Sequence, residues 1–433
     1  MKTLRWILLG WLLLLPPAVS TAAAPGAGPT ALDKKVEAVV ARLAPSLIEI
    51  RRDLHCHPEY GMQEHRTAAL VADYFRKLGL EVRTGVGGTG VLGILRGAKP
   101  GPVVGFRGDM DALPITEETG LPFASKAKMM LGGKEVGLMH ACGHDVHTTV
   151  LLGVAAVLAE LKADLKGTVL FVAQPAEETV GGASGMLADG LFAEIKPEAM
   201  FAYHVEDTVE PGRVLYSSGT ATANVDSFDL TIESTGCHGS MPWNCVDPIA
   251  VGSQVVTALQ VMVAREVDVN NNTVITVGTF HAGSARNIIP QKAELGATIR
   301  TFGDDQRKLI RAKIERLIQN ICEAAQAPYR LDYEIGTSSV YNNPALLAKI
   351  LPTVERVLGG KEFVRQIPAD TGGEDFSEFA RLMPSVILWL GVVPPEVGKT
   401  ALHSPTFVAD ERAIAIGVKL MSGILLDYTG AGK

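Results

Sequence analysis

The sequence has no excess of basic residues and almost no biased segment. Its 40 Lys and Arg are outnumbered by 47 Asp and Glu, which gives a formal net charge of -7. A nucleic-acid-binding domain usually carries a strongly basic face, so we expect no nucleic-acid partner. Only residues 25–29 are Pro/Gly-rich, and we find no internal repeat. With 47% hydrophobic residues, the composition excludes a disordered or collagen-like chain and predicts two or three globular domains.

Long apolar runs are also scarce. Residues 6–15 form one near the start, which is shorter than the roughly 20 residues that a membrane-spanning helix needs. Lys2 and Arg5 precede this run, and Pro16 and several small residues follow it. This order predicts a secretory signal over residues 1–24 and an exported protein, periplasmic or secreted, that leaves the membrane after cleavage. An uncleaved membrane anchor is the alternative.

Cysteine is rare, with five residues in the chain. An odd number in an exported protein leaves at least one thiol unpaired. Cys142, which lies between histidines, is the best candidate for a working thiolate. Cys237 and Cys245 are close enough in sequence to pair, but connectivity cannot be deduced from sequence, so we do not predict that bridge.

Several familiar motifs are missing. The sequence contains no H-E-x-x-H, G-x-S-x-G or P-loop, which argues against thermolysin-like proteases, serine hydrolases and P-loop nucleotide hydrolases. Residues 85–90 match the dinucleotide pattern G-x-G-x-x-G, but they lead into a strand instead of a helix. We therefore interpret them as a glycine-rich turn between two strands.

Hydrophobic periodicity indicates strands that alternate with helices along most of the chain. This order predicts an α/β fold, in which a mixed sheet is flanked by helices. The predicted helices are 32–54, 64–78, 345–358 and one beginning at residue 410, and the predicted strands are 80–83, 91–95, 103–107, 168–173 and 386–390.

The pattern changes near Asn224 and then returns to α/β. Elements in the order β-α-β-β-α-β, which is ferredoxin-like, follow at 227–233, 248–263, 273–280, 292–301, 304–325 (with Asp304 as N-cap) and 329–335. We therefore predict an inserted ferredoxin-like α+β domain at 224–337. It would separate the two parts of one catalytic domain, 30–223 and 338–433.

Residues 140–147 hold the densest group of metal-binding side chains. Imidazole, thiol and carboxylate groups are the types that bind borderline metals such as zinc, and this segment contains His140, Cys142, His144, Asp145 and His147. An apolar run follows at once. We therefore expect these residues on a loop and on the first turn of a buried helix.

Further candidates follow the ends of predicted strands. Asp109 and Asp111 come after one strand, where open α/β sheets place their sites, although a solvated loop is the alternative. Glu177 and Glu178 come after another strand. They could be a solvated charge pair, or one could ligate a metal while its neighbour acts as a general base.

Two distant histidines complete a possible ligand set. His204 ends an apolar run and His403 lies in a loop, and a lone histidine is more often a satisfied core residue than a ligand. Five side chains, one of them bridging, can hold two metals and leave room for a water. The candidates are Cys142, His144, Glu178, His204 and His403.

The motifs together carry a resemblance to a known family. The chain resembles the aminoacylase/carboxypeptidase metallohydrolases, in the branch of hippurate hydrolases and auxin-amino-acid-conjugate amidohydrolases. The resemblance extends over nearly all of the chain after the signal. The motifs that carry it are residues 54–59, 107–114, 139–148, 174–178, 238–242, 285–290, 371–376 and 402–407.

The resemblance implies roles for the catalytic part of the chain. The catalytic domain would have the zinc-exopeptidase-like fold and hold two divalent metal ions, zinc or else manganese or cobalt, on the five ligands named above. Cys142 would bridge the metals, because this branch has cysteine where other members have aspartate. Glu177 would be the general base, and Asp111 would orient a ligand.

The resemblance also implies roles for the inserted domain, as a lid and a homodimerisation domain. His238 would polarise the scissile carbonyl from the partner subunit, and it counts as catalytic together with Glu177. Asn287 and Arg300 would bind substrate, Arg300 through a bidentate fork to a carboxylate. Three features depart from the family pattern: Trp243 where a histidine is common, Cys56 within the histidine-proline motif, and the cysteines that flank His238.

These observations predict a metal-dependent amidohydrolase acting on a small molecule, the amide of an N-acyl or N-aroyl amino acid. A dipeptidase or carboxypeptidase using the same site is one alternative. A non-catalytic periplasmic ligand-binding protein on a hydrolase scaffold is another.

Overall fold

The structure is a computed structural model, in which residues 28–431 are described. The predicted signal at residues 1–24 lies outside the described residues. The first part of the described chain contains the helices α1 (Ala31–Cys56), α2 (His65–Lys77), α3 (His144–Glu160) and α4 (Gly182–Ala188). Its strands are β1 (Glu81–Val86), β2 (Gly90–Arg96), β3 (Lys99–Asp109), β4 (Lys128–Leu131), β5 (Lys134–Gly137), β6 (Lys166–Gln174), β7 (Ala199–Glu206), β8 (Val214–Tyr216) and β9 (Gly219–Thr220).

The middle of the chain contains β10 (Asn224–Glu233), β11 (Cys237–His238), α5 (Pro248–Glu266), β12 (Val274–Ala282), β13 (Ile288–Ile289), β14 (Lys292–Thr301), α6 (Asp304–Ala324) and β15 (Tyr329–Ile335). The last part contains β16 (Tyr341–Asn342), α7 (Pro344–Leu358), β17 (Val364–Gln366), α8 (Ser377–Ala380), β18 (Ser385–Gly391) and α9 (Arg412–Tyr428). Short 3-10 helices lie at Pro242–Asn244 and Lys361–Phe363.

The main sheet is mixed, and it confirms the predicted fold class. Its strand order is β1-β2-β6-β3-β7-β18-β16-β9, and β8 and β17 branch from β18. The central strands β6, β3, β7 and β18 run parallel, whereas β1 and β2 are antiparallel. Residues 87–89 form the turn between β1 and β2, which agrees with the glycine-rich turn predicted there. Helices cover both faces and bury separate apolar clusters against the sheet.

Helix α3 is the central helix of the larger cluster. Every residue from His144 to Leu158 is buried, which explains why this segment is apolar on all sides instead of amphipathic. It packs against α1, α9 and strand β3. The first turn of α3 is therefore held rigidly at the sheet edge where the central parallel strands end.

The inserted segment forms its own antiparallel sheet, in the order β12-β14-β10-β15. Helices α5 and α6 cover one face and bury a third apolar cluster. On β14 the alternate residues Glu294, Gly296, Thr298 and Arg300 point to the other face. Among the described helices, α5 alone is long and apolar enough to cross a membrane by length and composition, which is weak evidence for a single helix.

Two chain segments connect the sheets, and they pair with each other. The amide of Ala221 donates to Val340 O at 2.8 Å, and the amide of Val225 donates to Thr337 O at 2.9 Å. We call residues 221–225 and 337–340 the crossing segments.

Small differences from the predicted elements have local causes. Gly303, with φ of 84°, caps α6, and Asp304 is the first helical residue instead of the predicted N-cap. The sequence prediction also missed the hairpin β4–β5 and several strands of two or three residues. Such strands are too short for a period of two to be visible.

Candidate metal centre

Three neighbouring parallel strands and the start of α3 meet at one edge of the main sheet. Asp109 ends β3, Glu177 follows β6, and His204 lies near the end of β7. Gly143 caps α3 with a φ of 79°, and a Cβ there would lie 2.6 Å from Val205 Cγ2. Glycine is therefore required at this position, and the tight turn directs Cys142 toward the strand ends.

The structure brings the five predicted ligands together around Cys142. Its Sγ lies 3.4 Å from His204 Nε2 and 3.2 Å from His403 Nε2. Glu178 Oε1 lies 3.4 Å from His403 Nε2 and 3.8 Å from His144 Nε2. Within this set of five residues, ligand atoms that lie within 4.8 Å of one another form two groups, Cys142-His144-His204 and Cys142-Glu178-His403. Because Cys142 belongs to both groups, the arrangement suits two ions with a bridging thiolate.

Two atoms of this group show why a cation suits the residues that are present. His144 Nε2 and Glu178 Oε1 are buried and have no hydrogen-bond partner among the described residues. A buried polar atom without a partner is costly, and such atoms are rare in native structures. A metal ion between the two side chains would satisfy both.

Burial and neighbouring charges also shift the pKa values of Cys142 and His144. Burial raises the pKa of the Cys142 thiol well above its usual range, and the nearby Glu178 carboxylate raises it further. Burial lowers the pKa of His144, but the Asp109 carboxylate and the contacts with Asp111 and Cys142 together outweigh burial and raise the pKa well above the ordinary value. Metal binding needs a thiolate and a neutral imidazole, and a divalent cation among these side chains favours both forms.

Asp111 orients two of the predicted ligands at once. Its Oδ1 lies 3.1 Å from His144 Nδ1, which also lies 2.9 Å from Asp111 O. Its Oδ2 accepts a hydrogen bond of 2.9 Å from the amide of Glu178. The His144 ring is therefore held with Nε2 toward Cys142 and Glu178.

The other polar residues at the start of α3 belong to supporting contacts. His147 Nδ1 lies 2.6 Å from Asp109 Oδ1, and His147 Nε2 accepts from the amide of Val205 at 2.9 Å. Asp145 pairs with Arg51 and His55 at 2.7 and 2.8 Å, and it also accepts from the amide of Val146.

His140 differs from these residues. Both of its ring nitrogens are buried without a hydrogen-bond partner among the described residues, and burial lowers its pKa to about 3. His140 is therefore neutral, and its ring packs beside that of His55, with 6.5 Å between the ring centroids.

Glu177 lies beside the five-residue group. Its Oε2 is 4.0 Å from His144 Nε2, and its side chain is 10% exposed. Its carboxylate oxygen also lies within 4.8 Å of carboxylate oxygens of Glu374 and Asp375. Burial and then the Glu374 carboxylate raise the pKa of Glu177 well above its usual range.

Sequence reasoning assigned no role to three residues of this region. Arg107, Glu374 and Asp375 form a buried ion-pair group beside Glu177. All three lie in motifs that carried the family resemblance, at 107–114 and 371–376, and this was the available signal. Glu64 was missed as well: its Oε1 accepts from the amide of Ala176 at 2.8 Å and so anchors the loop before Glu177.

The backbone of the site contains several unusual conformations. Ala176, Val180 and His403 have φ angles of 49°, 58° and 57°, a region that non-glycine residues rarely occupy. The amide of His403 donates to Ala141 O at 2.9 Å and ties its loop to the turn before α3. Such strained residues persist only where the surrounding structure holds them, and they cluster at functional sites.

The three predicted lid residues lie in the inserted segment. His238 and Asn287 are neighbours on the ribbon formed by β11 and β13, where the amide of Gly239 donates to Asn287 O at 2.8 Å. Both line a cavity of about 920 Å³. Arg300 lies on the open sheet face, where it donates to Thr298 Oγ1. Among the described residues, no hydrogen bond or ion pair joins these three to the five-residue group.

The loop after His238 is closed by a disulfide. Cys237 and Cys245 are bonded, which resolves the pairing that the sequence left open, while Cys56, Cys142 and Cys322 are free. The bridge ties the β11 end of the ribbon to the chain just before Asp247, whose side chain caps α5.

A mixed α/β sheet with convergent metal-binding side chains and an adjacent carboxylate defines a metallohydrolase. Residues 105–427 match the sequence profile of peptidase family M20/M25/M40, and the chain belongs to this family. It is therefore an enzyme, as the sequence predicted. The family resemblance is confirmed at this level, whereas the hippurate-hydrolase branch stays a prediction.

Several relatives are similar over nearly their full length. N-acetylcysteine deacetylase of Bacillus subtilis (strain 168) is 34% identical over 371 residues, which cover 86% of this chain and 93% of the relative. Thermostable carboxypeptidase 1 of Saccharolobus solfataricus is 34% identical over 391 residues, 89% of this chain and 96% of the relative.

A solved structure of a relative has a similar fold. The Bacillus subtilis YXEP protein, described as a dinuclear metal-binding peptidase of the M20 family, superposes with a TM-score of 0.76 at 31% identity. The match covers 90% of this chain and 99% of that one.

Proposed function

We propose that this protein is a metal-dependent amidohydrolase that cleaves the amide bond of N-acyl or N-aroyl amino acids. The observation that carries the proposal is the pair of ligand groups that share Cys142, with Glu177 beside them. The name of a relative, N-acetylcysteine deacetylase, supports an N-acyl amino acid as the class of substrate.

Cys142, His144, Glu178, His204 and His403 would hold two divalent cations, zinc or else manganese or cobalt. When bound, the cations supply Lewis acidity toward the substrate carbonyl and the attacking water. Glu177 takes the proton of that water and later delivers it to the leaving nitrogen. Its carboxylate lies close to His144 and Glu178, within 4.8 Å of their ligand atoms, but it is in neither of the two groups that share Cys142.

His238 is the proposed donor to the oxyanion. Its Nδ1 accepts from the amide of Ser240 at 3.1 Å, and an amide can only donate. The neutral ring therefore carries its proton on Nε2, which is free to donate to a developing negative charge. Asn287, beside it on the ribbon, and Arg300 on the open face are proposed to bind the rest of the substrate.

The homodimer is part of the proposal, with the inserted segment as lid and dimerisation domain. Strand β12 is an edge strand with exposed Val274 and Phe280, and α5 exposes Val261 on its outer side. An uncovered edge strand beside exposed apolar residues supports pairing with a second copy. A partner copy would supply His238 to the site.

Export to the periplasm or the medium is proposed from the predicted signal. The Cys237–Cys245 disulfide supports it, because disulfides persist mainly in oxidising compartments.

A dipeptidase or carboxypeptidase activity at the same site is the second candidate. It is favoured by the similarity to thermostable carboxypeptidase 1, whose identity of 34% equals that of the deacetylase. A non-catalytic binding protein is disfavoured, because it would have no use for Glu177 beside a full ligand set.

The test compares substrates and a single variant. Metal-loaded wild-type protein is assayed side by side on N-acetyl amino acids, hippurate-type conjugates and dipeptides, and Glu177→Ala is assayed on the best substrate. We expect conjugates to be preferred and Glu177→Ala to lose on the order of 10²–10⁴-fold in kcat with its metal retained. Near-wild-type turnover by Glu177→Ala would refute the proposed base, and preference for dipeptides would favour the second candidate.

A further inference from the structure

Arg107 joins several acidic residues behind the proposed base. Its side chain is fully buried, and both terminal nitrogens contact Glu374, at 3.2 and 2.9 Å. The same guanidinium lies 2.5 Å from Asp109 and 3.3 Å from Asp375, and Nε donates to Gln174 at 2.8 Å.

The charges in this group are not balanced. Asp109, Glu177, Glu374 and Asp375 have side chains at most 10% exposed. Among the described residues, Arg107 is the buried arginine that pairs with Asp109, Glu374 and Asp375, and Asp109 also lies near His144 and His147. Burying like charges is costly, and apolar packing would stabilise the fold as well or better. A purely structural reason for this group is therefore weak.

The loop that carries Glu374 is attached at its other end to a crossing segment. The amide of Asp370 donates to Ala221 O at 2.9 Å, and the amide of Ala223 donates to Gly372 O at 3.1 Å. Gly373 packs so closely on Val225 that a Cβ would lie 2.6 Å from Val225 Cγ2. Residues 370–376 thus connect the junction of the two sheets with the surroundings of Glu177.

We propose that Glu374 is a positioning residue for Glu177, and that the loop 370–376 couples Glu177 to the crossing segments. The inference rests on the proposed function, in which Glu177 is the base. Glu374 contacts both terminal nitrogens of Arg107, beside Asp109 and Asp375, and so helps to keep this cation from pairing with Glu177. The Glu177 carboxylate therefore stays directed at the reacting water.

The first test replaces the charge of Glu374. In Glu374→Gln, Arg107 loses one of its three carboxylate partners and keeps Asp109 and Asp375, so its guanidinium is freer to turn toward Glu177. We expect kcat to fall on the order of ten- to a hundred-fold, part of the general-base contribution, with KM changed less than about twofold. Glu374→Asp keeps the charge and should recover much of the loss. Glu378→Gln, a nearby glutamate that does not contact Arg107, is the matched control and should behave as wild type.

The second test addresses the coupling. Gly373→Ala places a methyl group against Val225 and should lower kcat with little change in KM. Val225→Ala removes the contacted methyl groups, so the double variant should recover activity. Gly185→Ala, whose Cβ meets only ordinary van der Waals contacts, is the control.

Metal content and melting temperature are measured for every variant. They show whether a lower kcat comes from a displaced Glu177 or from loss of structure or of metal ions. Wild-type kcat in Glu374→Gln would overturn the positioning role, and wild-type kcat in Gly373→Ala would overturn the coupling. Loss of metal in Glu374→Gln would also contradict the positioning role, as would a Glu374→Asp variant that is no more active than Glu374→Gln. If instead Glu177→Ala keeps full turnover, the proposed function itself fails.

Discussion

At the scale of single residues, Cys142 decides the character of the site. It is the one member common to both ligand groups, and its thiol is buried against carboxylates that oppose its ionisation. A cation beside Cys142 would favour its thiolate form. Both the distances between the ligand atoms and the charges around Cys142 therefore suit a bound cation.

Asp111 should control metal affinity without touching the ions. In Asp111→Asn, an NH₂ group replaces one carboxylate oxygen. Either the His144 ring or the Glu178 amide then loses its hydrogen-bond acceptor. Replacing such partners lowers metal affinity about 10–100-fold. Titration with a chelator of known affinity measures the loss. Asp73→Asn, at an exposed position of α2, is the control, and equal affinities in Asp111→Asn and wild type would exclude the orienting role.

Four of the five predicted ligands were visible in the sequence because Glu178 and His204 lie near strand ends and Cys142 and His144 lie at the start of a helix. His403 lies in a loop and was a candidate by its residue type. The group around Arg107 was not predictable in the same way. Glu374 and Asp375 look like solvated loop residues until the fold places them against Arg107, which is 267 residues away for Glu374. Contacts over such separations depend on the topology of the whole sheet.

At the scale of elements, the Cys237–Cys245 disulfide holds the ribbon of β11 and β13, and the start of α3 holds Cys142 and His144. Long helices and core strands were predicted well, because their periodicity extends over several turns or pleats. The ribbon of β11 and β13, which carries two predicted lid residues, has only two residues in each strand and gave no periodic signal.

Removing the disulfide should loosen this ribbon. For the double variant Cys237→Ser/Cys245→Ser we expect stability to fall by about 2 kcal/mol, as is common for small closed loops. We expect kcat to fall about tenfold, less than the loss of an oxyanion donor. Thermal unfolding and steady-state kinetics measure both effects, with Cys56→Ser as the control. An unchanged kcat would show that the bridge does not hold His238 in place.

The contact between α1 and α7 should depend on pH. Asp33 is partly buried, and its hydrogen bonds and ion pair with Arg356 outweigh burial and lower its pKa below the ordinary 3.8. A carboxylate whose folded pKa is lowered contributes stability above its unfolded pKa, and the contribution is lost as pH falls through the folded value.

Asp33→Asn should therefore be less stable than wild type at pH 7 by no more than about 1 kcal/mol, because the pair is partly solvated. The difference should shrink as the pH falls below 3.8. Denaturant unfolding at several pH values tests this. A difference that is constant with pH would mean that the charge of Asp33 is not responsible.

At the scale of the whole molecule, the site exists only when the domain is complete. Its ligands come from the turn before α3, from the ends of β6 and β7, and from the loop before α9. The sequence showed the α/β class and the interruption by a second sheet. It did not show how the crossing segments meet the loop 370–376, because that depends on how the sheets are joined.

The proposed dimer gives a prediction at this scale. Wild-type protein should elute as a dimer in size-exclusion chromatography with light scattering, and Val261→Lys/Phe280→Lys should shift it toward monomer. Because the partner would supply His238, kcat should fall as the dimer dissociates. Leu309→Lys, an equally exposed position on α6, should leave the dimer intact. A monomeric wild type with full activity would contradict the assembly.

The metal content of gently purified protein, measured by elemental mass spectrometry, decides whether Cys142 and its neighbours form a two-metal site. We expect two divalent cations per folded wild-type chain. In Cys142→Ala, which removes the residue shared by both ligand groups, we expect fewer than one, with the circular dichroism spectrum unchanged. A wild-type protein without stoichiometric metal, or a Cys142→Ala variant that keeps two ions, would contradict the two-metal site.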